Sequence, residues 1–304
     1  MMTILINRLG QSVFVLFGVS LLIFFSLHMT GDPAALMMPP GSSQREMADF
    51  RHSMGFDRPL LWQYFHYLTG VLHGDFGESL RYSQPVLSLI TERLPATALL
   101  AVSALAWSSL LGLLLGIVSA LRPHSLLDLV CRLVAFSGQA IPVFWLGLLF
   151  ILLFSLHLQW LPSGGYGTFS ALVMPAVSLG AFYMSAVARL ARASLLDVLQ
   201  QDYIRTARAK GLSAWRIVIR HGLRNALIPV VTVQGIYFAS LLGGALVTEI
   251  IFAWPGIGRL AIQAIQNRDF PLVQAVVLLA AAVFVVINLL IDLLYLVLNP
   301  RIRL

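Results

Sequence analysis

The residues best placed to do chemistry lie between Gln201 and Pro229, in the run QDYIRTARAKGLSAWRIVIRHGLRNALIP. Arg205, Arg208, Lys210, Arg216, Arg220 and Arg224 stand there against a single acid, Asp202, within an otherwise apolar second half. The chemistry open to such a set is recognition, since guanidinium groups fork onto phosphate and carboxylate oxygens. Two readings follow: the arginines meet lipid phosphates at a membrane surface, or the segment docks as a short helix in a groove on a soluble partner. Spacing alone leaves both open. Gly211 followed by Ser213 predicts helix, tight turn, helix, with Gly just past one helix and Ser at the N-cap of the next. In the second helix Trp215, Val218, Ile219 and Leu223 predict an apolar stripe. Arg216, Arg220 and Arg224, in steps of four, predict a basic ridge on another side.

Polar groups are scarce elsewhere in the apolar runs. Gln139, Gln234, Tyr237 and Glu249 are candidates to line or gate a polar pathway, although the amides and the phenol can equally make interhelical hydrogen bonds. Asn288 and Asp292 are four apart and share a helix face. An intramembrane acid raises the possibility of a proton relay, but Asp292 falls near a predicted helix end, where pairing with a loop arginine is the ordinary role. Motor chemistry is missing, because no G-x-x-x-x-G-K-[ST] phosphate loop occurs. No H-E-x-x-H pair or Cys/His cluster offers a metal site, and His66 and His73 are not at a compelling ligand spacing. Cys131 is the only cysteine, so no intramolecular disulfide can form. No catalytic residue is assigned, and energy has to come from outside the chain.

The elements that position these groups are membrane spans. The 304 residues are 59% hydrophobic and 11% charged, with a mean hydropathy of +0.86, too apolar for a surface in water. Arg8 precedes the first span, about Leu9–Leu27, an uncleaved signal anchor with no small-residue cleavage site after it. Further spans are expected at about Thr97–Leu121, Leu133–Leu156, Ala171–Val187, Ala226–Val247 and Leu272–Leu298, with Pro142 and Pro175 kinking or starting helices. Gly112-x-x-x-Gly116 offers a close-packing face. Residues 30–95 form one long polar segment of mixed charge, in which Leu60–Leu68 has the aromatic composition of a membrane interface. The net charge of +7 does not imply nucleic acid. Arg8, Arg122, Arg132, Arg189, Arg192, the basic run and Arg301 with Arg303 all fall on one side of the spans. The connection from His157 to Ser170, on the other side, has no Asp, Glu, Lys or Arg. Both termini are therefore expected in the cytoplasm.

The run YIRTARAKG with RNALIP beyond it resembles the cytoplasmic coupling loop of permease subunits of bacterial ABC importers, and within them the dipeptide/oligopeptide/nickel group. Arg205, Thr206 and Ala207 occupy the start of the family motif and Gly211 its glycine, while the family's Glu is absent. TGDPA at Thr30, GDFGESLRYSQPV from Gly74, FAWPGIGRL from Phe252, NRDFP from Asn267 and the closing DLLYLVLNPRIR are similar to the same group. The resemblance implies an all-α, six-helix permease of the type I architecture in the inner membrane. It divides the chain into 1–29, the extracytoplasmic 30–95, and a five-helix core 96–304 carrying the coupling loop 196–225. It implies ATPase contact at Arg205, Thr206, Ala207, Gly211, Ser213, Trp215, Arg216 and Arg220. An outer loop with Trp254, Pro255, Gly256 and Asp269 would either seal the bundle or meet a substrate-delivering protein. The implied partners are a second, similar permease, two ATPase subunits holding ATP and Mg, an extracytoplasmic binding protein and lipid. This chain is expected to hold no cofactor. Di- or oligopeptide is the expected cargo, with nickel or a metal chelate as the alternative. A proton-coupled carrier using Asp292 and Glu249 is the alternative of a different class.

Overall fold

The computed structural model describes residues 2–29, 34, 38 and 41–298, apart from some side chains near the termini and at 214, 239, 242–244 and 292. Thr30 to Pro33, the side chain of Asp292, and Arg301 with Arg303 lie outside the described part. Among the described residues, four helices are long and apolar enough to cross a membrane: Ile6–Ser26, Val86–Leu121, Phe169–Leu199 and Phe270–Ile291. A broken pair, Leu126–Ala140 with Val143–His157, makes a fifth span if counted as one.

The chain divides into two compact units. The first comprises the described residues of Met1–Pro95 with Pro255–Val286. Its helix α1 (Met2–Met29) is apolar over most of its length, and within this chain little of that surface is buried. Two amphipathic helices follow, α2 (Gln44–Met54), opened by a capping box at Ser43 and Glu46, and α3 (Leu60–Leu72). Tyr64 of α3 is buried against Phe17 and Phe24 of α1, and its hydroxyl lies 2.8 Å from that of Ser20. A short hairpin, β1 (Glu78–Ser79) and β2 (Gln84–Pro85), pairs Glu78 with Pro85 and Ser79 with Gln84. The unit's core joins Val86, Leu89 and Ile90, the opening turns of α4 (Val86–Leu121), to α12 (Ile257–Gln266) and α13 (Phe270–Leu298). The end of the segment read as polar, residues 86–95, is thus already helical. Pro95 removes one backbone donor without ending α4, as spanning helices tolerate.

The second unit comprises Ala96–Trp254 and the described part of Ile287–Arg303. Its centre is α7 (Phe169–Leu199), which is buried along most of its apolar length. The span expected as one piece over Leu133–Leu156 is two: α5 (Leu126–Ala140) and α6 (Val143–Phe150) meet at Ile141-Pro142 with a bend of 102°, and α6 continues as a π-helical turn, Ile151–His157. The break has a local cause, since proline disfavours helical backbone in the residue before it, and Ile141 is extended at φ −95°, ψ 123°. Gly112 and Gly116 let α4 lie on α7. A Cβ at Gly116 would sit 2.6 Å from the Ala188 carbonyl oxygen, and one at Gly112 2.8 Å from that of Met184. The span expected to end near Val187 runs to Leu199, so Arg189 and Arg192 stand on α7 itself.

Candidate functional site

The basic segment follows directly from α7. Helix α8 (Asp202–Ala209) ends in a turn in which Lys210 N–H donates to Thr206 O at 3.1 Å and Leu212 N–H to Ala207 O at 3.3 Å. Gly211 closes it at φ 75°, in the left-handed region where a side chain is strained. A Cβ there would meet nothing within 4 Å, so the requirement is one of backbone conformation and not of space. Ser213 immediately precedes α9 (Ala214–Arg216), which passes into a π-helical stretch, Ile217–Leu223, and then α10 (Arg224–Gly244). The second helix is therefore no separate short piece: helical backbone runs unbroken from Ala214 to Gly244.

The segment has its own small core. Ile204, Ala207 and Ile217 are buried together, with Leu199 and Leu212 packed around them. Asn225 Nδ2 donates to the Tyr203 hydroxyl at 2.8 Å, tying α8 to the start of α10. The predicted apolar stripe holds for Val218, which is buried, and for Leu223, which packs on Ala120, Leu195 and Ala226, and needs correction at the other two positions. Ile217, Val218 and Gly222 face inward, whereas Trp215 is 71% exposed and Ile219 is also exposed. The physical reason is the wider i→i+5 turn, which advances the chain out of phase with the α period on which the stripe was read. Arg205, Thr206, Arg208, Arg216, Arg220 and Arg224 are all exposed. Arg205 is paired only at the surface, 3.5 Å from Asp202, a contact of little energetic weight. The outcome is a compact projection with an apolar inside and a surface of arginines around one tryptophan.

A second polar cluster, not singled out by the sequence, locks the connection before α5 to α7. Asp128 is fully buried, and Arg192 reaches it through Nε at 3.0 Å and Nη2 at 3.1 Å. The Ser119 hydroxyl and the His124 N–H donate to the same carboxylate, and Arg132 Nε stands 3.3 Å away. Bidentate geometry and further donors are what let a charge remain buried. The available signal was that Asp128 is the only acid between Glu92 and Asp197.

The other candidates are dispersed. Gln139 ends α5 and accepts a hydrogen bond from Arg189. Tyr237 packs its ring 5.0 Å from that of Tyr183, and Gln234 is half-buried on the same helix. Glu249, in α11 (Leu246–Ile251), is fully enclosed and accepts from Thr97 Oγ1 at 2.7 Å. Trp254 is buried, with its Nε1 donating to Ala96 O at 2.9 Å. Pro255 is half-buried, and Gly256 is buried at the start of α12. In the first unit Asp269 is buried, accepting from the Ser79 hydroxyl and from Leu272 N–H at 3.3 Å, so it caps α13 and pins the hairpin. The same unit holds a cavity of about 310 Å³ lined by Phe24, Trp62 and Tyr67. Burial pushes the Tyr67 phenol up to about 12.

Residues 112–304 match the family described as binding-protein-dependent transport system inner membrane component, and residues 1–101 match the N-terminal region of such membrane components. The chain is 41% identical over 304 residues to the glutathione transport system permease protein GsiC of Escherichia coli (strain K12), covering 100% of this chain and 99% of that protein. Identity and coverage are the same, 41%, 100% and 99%, for GsiC of Shigella flexneri serotype 5b (strain 8401). Among solved structures it is similar to an amino acid ABC transporter with histidines, at a TM-score of 0.55 and 17% identity, covering 68% of this chain and 93% of that one. It is also similar to the MetNI methionine ABC transporter in inward-facing form, at a TM-score of 0.54 and 19% identity, covering 68% and 96%. At such identity the structural likeness is one of fold.

Proposed function

The chain belongs to the binding-protein-dependent transport system inner membrane components, and we propose that, as an ABC importer permease, it passes di- or oligopeptides inward. Permeases of this family are not enzymes; they are multi-pass inner-membrane proteins that work with ATPase subunits and a substrate-binding protein. The observation that carries the cargo reading is the 41% identity, over the whole chain, to a permease named for glutathione, which is itself a tripeptide. The proton-coupled alternative falls with the family assignment. For nickel, the described residues include no group of three or more His, Cys, Asp and Glu that could hold a metal ion, and nothing else favours it.

The coupling element of this reading is the projection at 202–224, with both termini on its cytoplasmic side and a six-helix bundle above it. Arg205, Arg216 and Arg220 meet acidic groups of the ATPase, and Trp215 fills an apolar notch, the residue pairing typical of interface anchors. Thr206, Ala207, Gly211 and Ser213 shape the turn that presents them. Because Ile204 and Ala207 of α8 pack on Ile217, a push on the segment would move α8 and the helix from Ala214 together, and that helix leads straight into α10. ATP and Mg act on the ATPases, a second, similar permease completes the pathway, and the switch between outward-open and inward-open forms is one of helix bundles rocking. Gln139, Gln234, Tyr237 and Glu249 are the polar groups nearest to hand for a pathway or its gate.

The cargo is tested on the cognate binding protein. Glutathione, di- and oligopeptides, Ni²⁺ and a nickel chelate are added in turn and the Tm is followed. A peptide is expected to raise Tm by several degrees, as a ligand well above its Kd must. A rise with nickel and none with any peptide would overturn the cargo reading while leaving the permease assignment intact.

A further inference from the structure

Between α4, α5 and α7, wholly inside the second unit, lies an open groove of about 480 Å³. Its lining combines Arg132 of α5 and Arg189 and Arg192 of α7 with Leu129, Leu133 and Phe136 of α5. Leu133 is 58% exposed and Phe136 64% exposed, so a broad apolar wall stands beside the guanidinium groups. The charges there are not balanced. Asp128, the one acid in contact, is already saturated by Arg192, Ser119 and His124 N–H. Arg132 uses only its Nε toward that carboxylate, at 3.3 Å. Arg189 donates to the neutral amide of Gln139 and has no carboxylate partner among the described residues.

We infer that this groove holds an anionic phospholipid, its phosphodiester on Arg132 and Arg189 and an acyl chain along Leu129, Leu133 and Phe136. A net excess of guanidinium charge selects a phosphate, and the exposed wall selects a hydrocarbon tail; a small soluble anion would use the first and leave the second bare. A zwitterionic choline headgroup brings a quaternary ammonium toward the same arginines and is disfavoured.

The test uses the assembled importer in detergent micelles, with bound lipid read by native mass spectrometry. Wild type is expected to retain phosphatidylglycerol in preference to phosphatidylcholine, and millimolar inorganic phosphate alone should not displace it. Displacement would assign the site to free phosphate instead. The Arg132→Gln/Arg189→Gln pair is expected to weaken retention about tenfold or more, whereas Arg122→Gln, outside the groove, leaves it unchanged. Equal loss in Arg122→Gln would mean general surface basicity and overturn the site. A second arm needs no variant: phosphatidylglycerol bearing a diazirine in its acyl chain is photolysed with wild-type importer. Adducts concentrated on peptides containing residues 129–136 support the proposal. Their absence there, as when another subunit covers the groove, refutes it.

Discussion

At Asp128 one carboxylate takes hydrogen bonds from α7, from Ser119 and from the backbone of His124. The Arg192 side chain opposite is only 24% exposed and Asp128 is fully buried, so losing either partner leaves the other charge with little water to replace it. Asp128→Asn keeps the shape, removes the charge and strands Arg192. The expected cost is on the order of 3 kcal/mol, read as a fall in the melting temperature of the purified importer together with lower folded yield. An unchanged melting temperature would mean that the cluster holds nothing together. This residue escaped the sequence reading for a physical reason. Arg192 is 64 positions away along the chain, and counting arginines for orientation treats each as solvated, which hides the ones that are paired. Gly211, by contrast, was legible, because its conformational demand is local and a Ser two residues on marks the next helix.

Among the elements, apolar length found the helices, since hydrocarbon thickness imposes it whatever the packing. It did not find their extent. The expected span over Thr97–Leu121 begins eleven residues earlier, at Val86, because amphipathic opening turns can bury one face against α12 and α13 without being uniformly apolar. The π stretch at Ile217–Leu223 likewise leaves no mark in composition, and of the inferred apolar stripe Val218 and Leu223 pack inward while Trp215 and Ile219 are exposed. Orientation is checked with single cysteines in a Cys131→Ser background. Ser213→Cys is expected to label from the cytoplasmic side only, and Ser163→Cys from the outside only. Both positions are exposed. Gly164 is unsuitable, as a Cβ there would lie 2.4 Å from the Phe252 carbonyl oxygen. Labelling of Ser163→Cys from the cytoplasm alone would contradict the proposed topology.

For the molecule as a whole, the account rests on force entering through the projection at 202–224 and leaving through helices continuous with it. Gly211 is the place to break that path without breaking the bundle. Its φ of 75° strains a β-branched residue by about 1–3 kcal/mol, while the space around it is open. Gly211→Val should therefore retilt the helix from Ala214 and misdirect Trp215, Arg216 and Arg220. Gly211→Asn, a residue that tolerates the left-handed region, should be near neutral. The decisive measurement is ATPase activity of the reconstituted importer, with and without binding protein loaded with its ligand, alongside co-purification of the ATPase. For Gly211→Val the account predicts weakened co-purification, or hydrolysis that has lost most of its response to loaded binding protein, with Gly211→Asn close to wild type. Normal co-purification and full stimulation in Gly211→Val would show that coupling runs through some other part of the chain.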